Sequence, residues 1–101
     1  MLLALADEPR HGYGIVQEVR ALSAGDVRLG AGTLYGVLDR LVAAGQVAPD
    51  RDEVVDGRLR RYYRITEVGS AAAAAETERL AALARRARRA LAAGPVLGTA
   101  S

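Results

Sequence analysis

The chain has 101 residues, half of them hydrophobic, and a formal charge of +2. That length holds one domain with little core to spare. The absence of Cys excludes disulfides, zinc thiolates and thiol redox chemistry, in keeping with a reducing cytoplasm, and no stretch is long and apolar enough to span a membrane.

The hydrophobic half flatters the chain, because 21 of its residues are Ala and none is Phe or Trp. What remains makes a thin core, which argues for burying more surface against a partner, most simply a second copy. All 14 basic residues are Arg, a side chain with planar, bidentate donors suited to phosphate. Residues 1–66 balance nine Arg against nine acids, whereas the segment from Arg79 onward has five Arg and no acid.

Leu2, Leu3 and Leu5 read as the end of a short first helix, broken by Asp7-Glu8-Pro9. Met1–Ala6 is too short for a signal-peptide core. So short a stub is expected to bury little, which leaves two readings, a helix that begins further upstream or an abbreviated start. His11-Gly12-Tyr13-Gly14 forms a turn into a second helix, roughly Gly12 to Leu22, with Ile15, Val16, Val19 and Leu22 inward. His11, the sole histidine, reads as a cap or buried hydrogen-bonder rather than a base or ligand. Ser23 to Ala31 is a loop, with small-residue breaks at Ala24-Gly25, Gly30 and Gly32.

The next helix organises the rest. Leu34, Val37, Leu38 and Leu41 recur at helical spacing and make one apolar stripe. Opposite lie Gly32, Gly36, Asp39 and Ala43, with Thr33, Tyr35 and Arg40 on the flanks. A solvated helix ordinarily carries long charged side chains there. A face this bare, rimmed by a hydroxyl, a phenol and a guanidinium, suits close approach to a large surface such as DNA. Gly45 stops the helix as its C-terminal cap. Helix, loop and helix at this spacing match a helix-turn-helix whose second helix is the recognition helix; a plain helical bundle is the blander alternative.

Gln46-Val47-Ala48-Pro49 starts a short strand, and Asp50 to Gly57 is a polar stretch whose acids Asp50, Asp52 and Glu53 read as solvated. Asp56-Gly57 signals a turn. In Arg60-Arg61-Tyr62-Tyr63-Arg64-Ile65, alternation puts Arg61, Tyr63 and Ile65 on one face and Arg60, Tyr62 and Arg64 on the other. A basic hairpin directly after a recognition helix is the wing of a winged helix, whose arginines supply charge-assisted donors to phosphate. The alternative is a solvated hairpin whose Arg stems cover the Tyr rings.

Thr66 is placed as an N-cap, with Glu67 favouring the positive end of the helix. From there a helix runs to Ala93, roughly 40 Å, closed by Gly94-Pro95, with residues 94–101 as a flexible tail. Leu80, Leu83, Ala84, Ala87 and Leu91 form its apolar stripe. A long amphipathic helix leaving a thin domain is most simply a dimerisation arm. The fold class is therefore mainly α with a small β-hairpin, a winged helix-turn-helix over residues 1–66 followed by a dimerisation helix over 67–93.

These segments together resemble the PadR family of bacterial transcriptional regulators. The resemblance covers nearly the whole chain. It rests on His11-Gly12-Tyr13, on Gly32-Thr33-Leu34-Tyr35 with Leu38-Asp39-Arg40-Leu41 and Gly45, and on Arg60 through Thr66 with Gly69. It implies a cytoplasmic homodimer that binds a palindromic double-stranded operator, usually as a repressor, and is released by a small aromatic or drug-like effector. Thr33 and Tyr35 would contact DNA from the start of the recognition helix, with Gly32 and Gly36 letting the backbone come close, and Arg58, Arg60 or Arg61 would serve the wing; Arg40 would reach phosphate or, equally, pair inside the fold. Leu80, Leu83, Ala84, Ala87 and Leu91 would form the dimer seam. No metal or cofactor is implied. Ala31 stands where relatives often have Pro, and the chain lacks the Trp on which some relatives stack ligand.

Asp39 is the awkward residue on such a face, since a carboxylate near phosphates repels; it is expected to pair with an Arg or to accept from a cytosine amino group. A second reading is a winged helix kept as a protein-interaction module without specific DNA binding. An enzyme finds almost no support, with one His, no Cys, no phosphate loop before a strand and no carboxylate pair in an apolar setting.

Overall fold

The computed structural model describes residues 1–99, with side chains described as far as residue 94. A 3-10 turn at Leu2–Leu5 leads into a two-residue strand, β1 (Arg10–His11), and then α1 (Gly12–Leu22) and α2 (Ala31–Ala43). A hairpin of β2 (Val47–Val55) and β3 (Arg58–Ile65) follows, and α3 (Glu67–Thr99) completes the chain. The sheet is antiparallel in the order β1-β3-β2. This is the expected winged helix-turn-helix with a long C-terminal helix, and it is elongated, measuring 67 × 26 × 21 Å.

The core forms where the stripe of α2 meets its neighbours. Leu34 and Leu38 pack with Ile15 of α1, Val47 of β2, and Ala4 and Leu5 of the first turn, all at most 2% exposed. Val16, Val19, Leu41, Tyr63 and Ile65 surround them. Burying a Leu of this kind contributes about 1.5–3 kcal/mol, so a core this small leaves little margin.

The first turn does more than its length suggests. Ala4 and Leu5 are fully buried, and Met1 and Leu2 lean on the same cluster. Arg10 holds the stub in place. Its Nε donates to the Ala4 carbonyl at 2.9 Å, and its terminal nitrogens reach Asp7, Glu8 and Glu18 at 3.2–3.5 Å. The stub therefore closes the core rather than fraying from it.

Leu22 departs the other way. It is 55% exposed rather than inward, because it sits in the last turn of α1, beyond the packed core. The chain reverses just after it: Ala24 and Gly25 take positive φ, and the Gly25 N–H donates to the Arg20 carbonyl at 2.7 Å. Gly32 is not a break but part of the first turn of α2, whose N-cap is Gly30. At the other end Gly45 (φ +73) and Gln46 donate to the Val42 and Leu41 carbonyls at 3.0 and 2.9 Å, the paired bonds of a Schellman cap.

β2 is nine residues long and absorbs the stretch expected to be polar loop. Its outer half is exposed on both faces, so no alternation marks it; pairing with β3 alone makes it a strand. Pro49 is tolerated because β2 is an edge strand.

Thr66 caps α3 as expected. Its Oγ1 accepts from the Gly69 N–H at 3.1 Å while donating to the Gly45 carbonyl at 2.6 Å, tying the helix start to the end of α2. Gly69 is required there, since a Cβ would overlap the Gln46 carbonyl oxygen. The helix does not stop at Ala93. Its backbone continues through Gly94-Pro95 to Thr99; Pro95 withholds one N–H donor without ending the helix. Residues 100 and 101 of the expected tail lie outside the described residues.

Candidate nucleic-acid interface

α2 presents the face that its sequence assigns to it. With Leu34 and Leu38 buried, Gly32, Thr33, Tyr35, Gly36, Asp39, Arg40 and Ala43 are all exposed. No side chain crosses Gly32 or Gly36, which have open space where a Cβ would stand. Asp39 forms no ion pair among the described residues, so the expected Arg partner within the chain is not there. Tyr35, half exposed, lays its hydroxyl against Gly12 at the start of α1, and a Cβ on Gly12 would come within 2.8 Å of that oxygen. The lack of a side chain at Gly12 leaves room for the phenol there.

The hairpin turns tightly at Asp56-Gly57, both at positive φ (52° and 75°), the two-residue geometry that matches strand twist. Val54 faces Leu59, Glu53 faces Arg60 and Asp52 faces Arg61; a bulge then shifts the register before Pro49 meets Tyr63. The bulge carries Arg51 over the Tyr62 ring, 3.9 Å from its centroid. One Arg does cover a Tyr, but it is an Arg of β2 rather than of β3.

Three of the wing's acids are ion-paired although exposed. Asp52 holds Arg61 at 3.3 Å, and Asp50 holds Arg51 at 3.3 Å and Arg64 at 3.8 Å. Glu53 lies 3.8 Å from Arg51. They are solvated as expected, being exposed, but they stand in a strand rather than a loop: Asp52 pairs with Arg61 across the hairpin, while Asp50 lies in the bulge beside Arg51. Arg58 and Arg60 have no carboxylate partner among the described residues. Arg61 is paired, yet more than half exposed, so its bond to Asp52 is weak and exchangeable.

One groove gathers most of this chemistry. Tyr35 of α2 and Arg58, Arg60 and Arg61 of β3 line it, together with Leu59 and with His11, Gly12 and Tyr13 from the junction of β1 and α1. Thr33 and Arg40 are exposed on α2 but do not line the groove. His11 and Tyr13 were outside the expected interface, although His11-Gly12-Tyr13 stood out as a segment. What periodicity could not reveal is β1, whose two residues pair Arg10 with Tyr63 and His11 with Tyr62 and so place the histidine beside the wing.

His11 has several tasks in that place. Its Nδ1 accepts from the Gly14 N–H at 3.3 Å, capping α1 as its sequence position suggests. Its Nε2 lies 3.3 Å from Nη1 of Arg60, and its ring meets Tyr62 edge-on with centroids 5.2 Å apart. Burial holds its pKa below the usual histidine value and the Arg60 guanidinium adds to that, with Glu53 opposing. The ring is therefore neutral in the free protein at pH 7.

Residues 1–75 match the Transcriptional regulator PadR-like family. The chain belongs to that family. Transcriptional regulator Rv3488 of Mycobacterium tuberculosis is 44% identical over 80 residues, which cover 79% of this chain and 71% of that protein. A PadR family transcription regulator from Clostridium difficile superimposes with a TM-score of 0.75 at 21% identity, covering 89% of this chain and 92% of that one. One from Eggerthella lenta gives 0.69 at 26% identity, covering 89% and 79%. Membership makes this chain a transcriptional regulator of the DNA-binding, winged-helix kind and not an enzyme. No helix among the described residues is long and apolar enough to cross a membrane.

Proposed function

We propose that this PadR-like chain is a cytoplasmic, homodimeric repressor that binds a palindromic operator and leaves it when a small aromatic or drug-like molecule binds. In this reading residues 1–66 are the DNA-binding unit. Thr33, Tyr35 and the bare backbone at Gly32 and Gly36 enter the major groove. Arg40 and the wing arginines Arg58, Arg60 and Arg61 hold phosphates. The observation that carries it is the groove in which Tyr35 of the recognition helix and three wing arginines face the same space without an acid in its lining. Phosphate contacts then supply affinity and salt dependence, and the edge of α2 supplies sequence choice. Asp39, exposed and without an ion-pair partner among the described residues, accepts from a cytosine amino group in this reading.

Dimerisation is supported by α3. Leu80 and Leu83 are 53% and 54% exposed and Leu91 is 74% exposed, a seam that nothing in this chain covers among the described residues. Residues 67–93 form the dimer arm in this reading, with Ala84 and Ala87 allowing close approach. A shallow apolar groove between the first turn and α3, lined by Leu2, Leu3, Ala72, Ala73 and Leu80, lies beside that seam and is the space an effector would compete for.

The deciding experiment is a fluorescence-anisotropy titration against duplex from upstream of the chain's own gene, beside a scrambled duplex, at two salt concentrations. Tight binding to the native sequence that weakens with salt is the expected result. Equal, weak binding to both duplexes, unchanged by Arg58→Ala, would instead make the chain a protein-interaction module.

A further inference from the structure

His11 faces two hydrogen-bond donors with only one acceptor to offer them. A neutral imidazole carries one N–H and one bare nitrogen. The backbone N–H of Gly14 points at Nδ1 and the Arg60 guanidinium at Nε2, each at 3.3 Å. When Nδ1 accepts from Gly14, the ring proton sits on Nε2, and Nε2–H then stands beside the N–H of Arg60 with no acceptor between them. Two donors side by side are what an anionic oxygen satisfies. The groove opens onto this pair, and its lining holds Arg58, Arg60 and Arg61 but no carboxylate.

We infer that His11 and Arg60 act as one clamp for a backbone phosphate of the bound duplex, Nε2–H and the guanidinium donating to the same phosphodiester group. The inference rests on the DNA-binding reading above and adds to it a contact from β1, outside both the recognition helix and the hairpin. Tyr62 holds the ring's orientation from the side, and Gly14 fixes which nitrogen faces the groove. The titratable and charged groups around the imidazole and its groove are Arg58, Arg60, Arg61 and Tyr62 of β3, Glu53 of β2, Tyr35 of α2 and Tyr13 of α1. In the free protein burial and Arg60 keep the ring neutral. A phosphate anion beside the ring opposes that balance and favours the imidazolium, whose added proton enters on Nδ1 at the expense of the Gly14 bond. DNA binding and proton uptake at His11 are thus linked, and affinity rises as pH falls between the bound and free pKa values.

The sole histidine makes this readable in the intact chain, provided no histidine tag remains. The imidazole is titrated by NMR in free protein and in complex with a mixed-sequence duplex at low salt, because a phosphate contact does not depend on sequence. Anisotropy across the same pH range compares wild type with His11→Asn, whose amide oxygen still caps α1 but cannot take up a proton. The titration midpoint should rise by about one pH unit in the complex, and wild-type affinity should increase by about tenfold for such a rise. His11→Asn should bind with little dependence on pH over that window. A duplex that binds while the His11 midpoint stays put or falls would overturn the clamp and leave the DNA-binding reading standing. A duplex that fails to bind wild type at any salt would overturn both.

Discussion

Leu38 and Leu83 are the same residue, each in the apolar stripe of a helix, yet one is 1% exposed and the other 54%. Leu38 is covered by α1, the first turn and the start of β2, so its burial belongs to this chain alone. Leu83 has its stripe but no cover among the described residues, because α3 meets the winged domain along residues 69–80. Periodicity thus tells which way a helix faces and says nothing of what it faces. The contrast divides the molecule into a part whose apolar stripe its own chain covers and a part whose stripe is left uncovered among the described residues.

That division predicts different responses to the same substitution. Leu38→Ala should lower unfolding stability by about 2–5 kcal/mol through lost burial and a cavity, measured by denaturant titration. In a core this thin a value below about 1 kcal/mol would mean that the site collapses freely. Leu83→Ala should barely change that unfolding free energy in a monomer, but should weaken self-association, read by sedimentation across a concentration series. Equal losses from both substitutions in a chain that stays monomeric would erase the contrast.

The joint between the two parts is Gly69. Gly69→Ala pushes a methyl into the Gln46 carbonyl, a backbone atom that cannot rotate away. We expect a loss of about 1–3 kcal/mol, with the start of α3 released from the end of α2. Hydrogen exchange at the Gly69 and Ser70 amides, which Thr66 accepts, would locate the damage.

How much was legible in the sequence follows the same boundary. α2 was legible almost to the residue, because Leu34, Leu38 and Leu41 repeat at helical spacing and Gly45 ends the run with its own chemistry. The Asp56-Gly57 turn and the Thr66 cap were legible for the same reason, each being a local signal. β1 was not, since two residues carry no period, and a strand that short exists only because β3 lies beside it. The inner half of β2 signalled itself through Val47, while its outer half, wet on both faces, hid the pairing of Asp50 and Asp52 with the wing arginines. Leu22 and the first turn failed alike: helical phase placed both, but depth depends on where the neighbouring elements stop.

The hidden pairing bears on how the wing grips. Arg58 is uncommitted among the described residues and Arg61 is shared with Asp52. If both reach phosphate, Arg58→Ala should reduce the salt dependence of DNA binding by about one counterion. Arg61→Ala should reduce it less, since it also leaves Asp52 unpaired near the duplex. Asp52→Asn should tighten binding by freeing Arg61. Log-affinity against log-salt for the three variants decides this, and identical slopes for Arg58→Ala and Arg61→Ala would show that the exposed pair costs nothing to exchange.

The smallest effect belongs to the free protein and is a matter of sign. His11 has a folded pKa below its unfolded value near 6.5, because burial and Arg60 disfavour the imidazolium. Between those two values the unfolded chain holds more protons, so stability rises with pH. The contribution is complete above pH 6.5, falls as pH drops below it, and is gone below the folded pKa. Thermal melts just below and just above that point should therefore show a modest fall in Tm on the acid side, and the fall should vanish in His11→Asn. The proton that weakens the free fold is the one the clamp would welcome on DNA. The pH dependences of folding and of duplex binding should consequently run in opposite directions and share one residue. A His11→Asn chain that loses one dependence and keeps the other would separate the cap from the clamp.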